Sequence, residues 1–188
     1  MTSFVSRNLV GIVEAYRFEP SLKIIDVGGG HGSLMTAILK ANPGTTGVVF
    51  DLPNVVEGAK KQVEGAHLAD RCECVGGDFF KAVAAGGDVY LLVSILHDWD
   101  DERCLAILKN CRLAMSNRAK LLIAEMVIPF GTEPSFAKVF DVYMLVLTSG
   151  GRERTEAEFQ KLLVEAGFHL AGVVPTKSTV SIIEAVPV

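Results

Sequence analysis

The stretch Lys23-Ile24-Ile25-Asp26-Val27-Gly28-Gly29-Gly30-His31-Gly32 constrains the fold of this chain more than any other. Apolar β-branched residues flank one acid, and a glycine cluster follows at once. That pattern predicts a buried parallel strand closing in a tight turn, with a helix beginning near Ser33. Glycines in such a turn let a ligand approach the backbone where a Cβ would block it. The helix start adds unpaired N–H groups and a positive dipole end. The segment therefore implies a site for a nucleotide-like cofactor.

The glycine spacing narrows the cofactor. A dinucleotide-binding turn follows G-x-G-x-x-G, and counted from Gly28 the third glycine would fall where Ser33 stands. No Gly-Lys-Ser/Thr follows, which excludes a P-loop. The spacing present is Asp26-x-Gly28-x-Gly30-x-Gly32. A nicotinamide oxidoreductase is thereby disfavoured, and a purely structural glycine turn stays open.

The chain has 188 residues, enough for one α/β domain with a sizeable core. Its net charge is −4 and its basic residues are dispersed, so no nucleic-acid partner is expected. Hydrophobic residues make up 49%, and mean hydropathy is +0.36. No apolar run reaches the roughly 18 residues that span a bilayer, so no membrane partner is expected either. The excess apolarity predicts buried parallel strands, and a face meant for another domain or subunit. Cys72 and Cys74 would share one strand face, and Cys104 and Cys111 one helix face. Neither pair has C-x-x-C spacing, so buried thiols of a reducing cytoplasm are expected.

Along the chain, an apolar stripe (Phe4, Val5, Leu9, Ile12, Val13, Tyr16) predicts a helix over 4–17. Strands are predicted at 23–28, 46–51, 71–76, 88–94 and 120–127, with helices at 33–41, 54–66, 101–115 and 136–147. Asp100 is a candidate cap. Thr155 and Glu158 form a capping box that opens a helix ending at Gly167. Strands at 168–174 and 179–186, joined by a turn containing Pro175, read as a hairpin. This alternation predicts a doubly wound sheet, whose ligands sit beyond the carboxyl ends of the strands. Residues 1–22 then form an N-terminal helical segment, and residues 23–188 one domain.

Polar groups gather at those strand ends. Asp51, closing the second strand, could accept from ribose hydroxyls or form a turn before Leu52-Pro53. Asp78 could accept from an adenine amine while Phe79 covers a ring face, or it could cap a turn. His97-Asp98-Trp99 follows the fourth strand, and histidine exchanges protons near neutral pH. Glu125 and Glu153 could be buried or helix-entry acids, Glu125 pairing with Arg152 or Arg154. Met144 could fill the core.

Five motifs occur in order: Asp26-Val27-Gly28-Gly29-Gly30, Phe50-Asp51-Leu52-Pro53, Gly76-Gly77-Asp78-Phe79-Phe80, Leu96-His97-Asp98-Trp99 and Gly150-Gly151-Arg152-Glu153-Arg154-Thr155. In this set the chain resembles the S-adenosylmethionine (SAM)-dependent O-methyltransferases of the caffeic acid/hydroxyindole type, with their bacterial small-molecule members, over residues 3–186. The resemblance implies a class I methyltransferase fold: a doubly wound, mostly parallel seven-stranded sheet with a C-terminal antiparallel hairpin. It implies that SAM is held by Asp26, Gly28, Gly30, Asp51, Leu52, Asp78, Phe79 and Ser94 and leaves as S-adenosylhomocysteine. It implies that His97 takes the proton from a substrate hydroxyl, commonly phenolic, bracketed by Glu125 and Glu153. Asp98, Met144 and Thr148 would line the substrate. The family needs no metal, and the sequence shows no metal-ligand spacing.

Two departures qualify the resemblance. Val93 stands where plant members carry a lysine, and Thr148 falls near their asparagine, which favours a bacterial natural product over a phenylpropanoid. Family members also carry an N-terminal helical domain that makes a dimer and closes the substrate pocket. The resemblance thus implies that residues 1–22 lead from a missing dimerisation domain of a cytoplasmic homodimer. The chain alone would keep the SAM site but transfer methyl groups weakly or not at all. A SAM-binding relative without methyl transfer, hydroxylase-like or an inactive fragment, is the alternative.

Overall fold

A computed structural model describes residues 2–188, with side chains from Leu9 onward. Phe4 and Val5 of the N-terminal stripe lie outside the described side chains. The elements run α1 (Thr2–Ala15), β1 (Lys23–Val27), α2 (Ser33–Ala41), β2 (Thr46–Asp51), α3 (Pro53–Gly65), β3 (Cys72–Gly76), β4 (Val89–Val93), α4 (Asp101–Ala114), β5 (Lys120–Glu125), β6 (Val127–Ile128), α5 (Phe136–Leu147), β7 (Arg154–Thr155), α6 (Glu156–Glu165), β8 (Phe168–Pro175) and β9 (Ser181–Pro187). The main sheet has seven strands in the order β3-β2-β1-β4-β5-β9-β8. Its first five strands are mutually parallel, while β9 runs antiparallel to both β5 and β8.

The central strands are apolar throughout because each is covered on both faces. Ile25, Val27, Tyr90, Leu92, Leu121 and Ile123 point to one side, where they pack on Ile107, Leu108 and Cys111 of α4 and Phe159 and Leu163 of α6. Ile24, Leu91 and Leu122 point to the other, against Ile12 of α1, Met35 and Ile38 of α2 and Val63 of α3. The expected thiol pairs fall into these same cores: Cys104 and Cys111 in the first, Cys72 and Cys74 in or against the second.

The helix signals act as read. Asp100 accepts from the Arg103 N–H, and Thr155 and Glu158 complete a reciprocal capping box. Three boundaries need correction. The strand expected over 120–127 breaks at Met126, because Val127–Ile128 leaves the main sheet and pairs in parallel with Arg154–Thr155. Pro175 ends β8 rather than sitting in the turn; β8 is the sheet edge, where a missing N–H costs little. The first helix stops at Ala15.

α5 is apolar on nearly every side. Met144 and Ala137 are buried, yet Phe136, Val139, Val142, Tyr143, Leu145, Val146 and Leu147 are each more than half exposed. A contiguous apolar surface of this kind is unusual for a monomer. Among the described residues, no helix is long and apolar enough to cross a membrane.

Candidate active site

β1 ends at the glycine turn. Gly28 has φ +74°, a left-handed conformation that side-chain-bearing residues rarely adopt, so the backbone itself favours glycine there. The Asp51 carboxylate fastens the turn from β2: Oδ2 accepts from the Gly30 N–H at 2.8 Å and Oδ1 from the Leu52 N–H at 2.7 Å. An open cavity of about 260 Å³ lies here, lined in part by Asp26, Gly28, Gly30, Ser33 and Val93.

Asp26 is only 2% exposed. Its Oδ2 finds no hydrogen-bond partner among the described residues. Burial, with Asp51 nearby, pushes its pKa up to about 7. Between the unfolded value near 4 and this folded value, the unfolded chain releases the proton first, so folding loses stability as pH rises across that window. Asp26→Asn is therefore expected to raise the Tm of the ligand-free chain at pH 8 and change it little at pH 4. A shift of about three pKa units corresponds to about 4 kcal/mol, and recovering about half of it would raise the Tm by roughly 4–8 °C in a domain of this size. Thermal unfolding at the two pH values checks this; a variant no more stable at pH 8 than its parent rules it out.

Other residues singled out for the cofactor sit around the same rim. Leu52 is largely exposed at the N-cap of α3. Asp78 Oδ1 accepts from the Phe80 N–H at 2.9 Å, and Lys81 lies 3.4 Å from its carboxylate. Phe79 stacks edgewise on Phe80 and Trp99 and reaches the glycine turn. Ser94 adopts a left-handed φ of +54°, rare for a side-chain-bearing residue. That kink turns the chain off β4 into a single 3-10 turn, Leu96–Asp98, which carries His97.

His97, Glu125 and Glu153 converge. The His97 Nδ1 lies 3.0 Å from Glu153 Oε1 and 3.5 Å from Glu125 Oε2. Both glutamates are 1% exposed. Glu125 is not paired with Arg152 or Arg154. Its Oε1 accepts from the Ile95 and Leu96 N–H groups at 2.9 and 2.8 Å, which fixes the backbone entering His97. Arg154 instead pairs with Asp101. Glu153 is held from behind, its N–H donating to Asp141 Oδ1 at 2.9 Å. Burial alone would lower the His97 pKa; Glu125, Glu153 and Asp98 outweigh it and hold it at about 9. Burial raises Glu125 to about 7 against the pull of His97. Sequence spacing shows no three-donor cluster, yet the fold brings His97 Nδ1 and one oxygen of each glutamate within 4.8 Å of one another.

The other imidazole nitrogen, Nε2, lies 3.7 Å from Asp98, which is half exposed. The Phe140 ring stacks on His97 at 6.3 Å and 24°, and Phe136 and Tyr143 continue an aromatic row along α5. Met144 is buried beneath this helix. Thr148 closes it: its hydroxyl donates to the Met144 carbonyl and accepts from the Gly151 N–H. A methyl on Gly151 would overlap the His97 carbonyl and the Thr148 hydroxyl. Phe140 had no signal of its own in the sequence, where it reads as part of an apolar helical stripe; Gly151 and Arg154 stood in the last family motif, and Arg154 was a candidate partner for Glu125 rather than for Asp101.

Strand order β3-β2-β1-β4-β5-β9-β8 with an antiparallel final pair is that of the class I methyltransferase fold. The chain belongs to the O-methyltransferase family, whose O-methyltransferase domain model matches residues 2–169. The phenazine O-methyltransferase PhzM of Lysobacter antibioticus is 50% identical over 177 residues, covering 94% of this chain and 52% of that protein. The crystal structure of LaPhzM superposes with a TM-score of 0.93 at 48% identity, covering 98% of this chain and 55% of that one. The O-methyltransferase NcsB1 of neocarzinostatin biosynthesis, solved in complex with SAM and 2-hydroxy-5-methyl naphthoic acid, gives a TM-score of 0.88 at 33% identity, covering 98% and 54%. The chain spans about half the length of the curated relatives it matches.

Proposed function

We propose that this chain transfers the methyl group of SAM to a hydroxyl, phenolic in the favoured case, of a small bacterial metabolite, with His97 as the general base. The observation that carries this reading is an imidazole clamped at Nδ1 by two buried carboxylates, with Nε2 turned away from them. SAM suits the glycine-turn cavity because the buried Asp26 lies beneath it, and its Oδ2, without a partner among the described residues, can meet a cationic amino group. Asp26, Gly28, Gly30, Asp51, Leu52, Asp78, Phe79 and Ser94 would hold it. Bound there, SAM supplies an electrophilic methyl group on a sulfonium.

The chain's own residues do the proton work. An ionised Glu153 can only accept, so Nδ1 donates to it and Nε2 is left with the lone pair. Nε2 takes the acceptor's hydroxyl proton, and Glu125 and Glu153 stabilise the resulting imidazolium. A base near pKa 9 lies close to a phenol near 10, so the transfer is nearly balanced. Asp98, Met144 and Thr148, with the Phe140 ring, would shape the acceptor pocket. The exposed apolar face of α5 and the half-length match support a catalytic half within a longer, homodimeric enzyme. Unpaired thiols fit a cytoplasmic setting. Methyl transfer from isotopically labelled SAM to a panel of phenols, by the longer dimeric enzyme proposed to contain this half, tests the reading; SAM binding without transfer there would instead make it a non-methylating relative.

The pH profile follows from the charges facing His97: Glu125 from β5, Glu153 ahead of β7 and Asp98 on its own turn. The base must be neutral, so kcat/KM is expected to rise with pH through about 9. Glu153→Gln removes a partner that favours the protonated ring. Its rising limb should move down toward the ordinary histidine value near 6.5, with a lower plateau. A limb that stays in place would remove Glu153 from this role.

A further inference from the structure

We propose that Arg154 is the positioning residue that aims His97 at the acceptor. The proposal rests on the reading of His97 as the base, and concerns what holds it. Arg154 is fully buried. Its Nη1 donates to the Leu96 carbonyl at 2.9 Å and its Nη2 to the Trp99 carbonyl at 2.8 Å, bridging the turn on which His97 sits. Nη1 also reaches the Arg152 carbonyl at 3.3 Å. Nη2 and Nε lie 2.8 and 3.1 Å from Asp101 Oδ1, at the start of α4.

Glu153 and Arg154 are adjacent, so in this extended segment their side chains leave the backbone on opposite sides. Glu153 holds the imidazole at Nδ1, while Arg154 holds carbonyls on either side of His97. Glu125 holds the two N–H groups entering the turn. The histidine is thus fixed by its ring, by the amides before it and by the carbonyls around it. A planar guanidinium can span two carbonyls and a carboxylate at once; an ammonium on a flexible stem cannot.

The test follows the His97 ring by NMR titration of the ligand-free 188-residue chain, parent against Arg154→Lys and Arg154→Met, with SAM affinity as the check on the fold. Loss of a neighbouring positive charge would by itself raise the His97 pKa. Release of the ring from Glu125 and Glu153 would lower it, so the sign separates the two causes. Arg154→Lys keeps the charge, and in it the titration is expected to fall toward 6.5. A fall in Arg154→Met as well supports the same cause, and an unchanged or raised titration there counts against it. Methyl transfer, where it is measurable, should drop about 100-fold in kcat, as for a catalytic group displaced by about 1 Å, with SAM affinity held. A folded Arg154→Lys chain whose His97 titrates as in the parent overturns the proposal. An Arg154→Lys chain that does not fold also overturns it, because the residue would then be a general stability element. If His97→Ala retained methyl transfer while Arg154→Lys shifted the ring titration, the base reading would fall and the positioning role would stand.

Discussion

His97→Ala is expected to slow methyl transfer by about 10²–10⁴-fold while leaving SAM affinity within experimental error of the parent. The size follows from what the imidazole supplies. A neutral phenol is a poor nucleophile at physiological pH, and the group that removes its proton must sit within hydrogen-bond reach. In this chain Nε2 is turned away from the two carboxylates, while Nδ1 is committed to Glu153. Alanine also leaves Glu125 and Glu153 buried without their shared partner, so part of any loss in stability is the cost of two unpaired acids. Rate and unfolding must therefore be measured on the same preparation. His97→Gln separates the two effects, because it keeps a polar group near the acids but cannot act as a base. A His97→Ala chain that transfers methyl groups at the parent rate would end the assignment.

Asp51→Ala is expected to weaken SAM binding by about 10–100-fold, which is the loss of one hydrogen bond to a charged group. Asp51 makes two such bonds before any ligand arrives, to Gly30 and to Leu52. It therefore shapes the glycine turn, and in the proposed complex its remaining lone pairs would accept from ribose hydroxyls. Without it the turn loses its tether to β2 and the cofactor loses an acceptor. Calorimetry with SAM and with S-adenosylhomocysteine measures both. Both ligands share the ribose, so they should weaken alike. Unchanged affinity for either would show that Asp51 serves only the turn.

The sheet was legible because each central strand is buried on two faces and so appears as an unbroken apolar run, as in Tyr90–Leu92 and Leu121–Ala124. The glycine turn was legible because Gly28, Gly30 and Gly32 all take a positive φ, a conformation that strongly favours glycine. The convergence of His97, Glu125 and Glu153 came from the family resemblance; no local pattern joins positions 28 and 56 residues apart. The small pairing of β6 with β7 was not legible, since two-residue strands have no period to detect. Nor was the division of labour within Glu125, one oxygen on backbone amides and the other facing the imidazole. The engagement of Thr148 was not legible either: its hydroxyl closes α5 by bonding the Met144 carbonyl and the Gly151 N–H.

The site draws on the sheet and on one helix outside it. His97, Glu125 and Glu153 sit at strand ends, and the buried Arg154 guanidinium bridges the turn that carries the histidine. The aromatic row Phe136, Phe140 and Tyr143 rides on a separate helix joined to the sheet by loops. Because Phe140 of that helix stacks on His97 and its Asp141 accepts from the Glu153 N–H, a displacement of α5 would be felt directly at the imidazole.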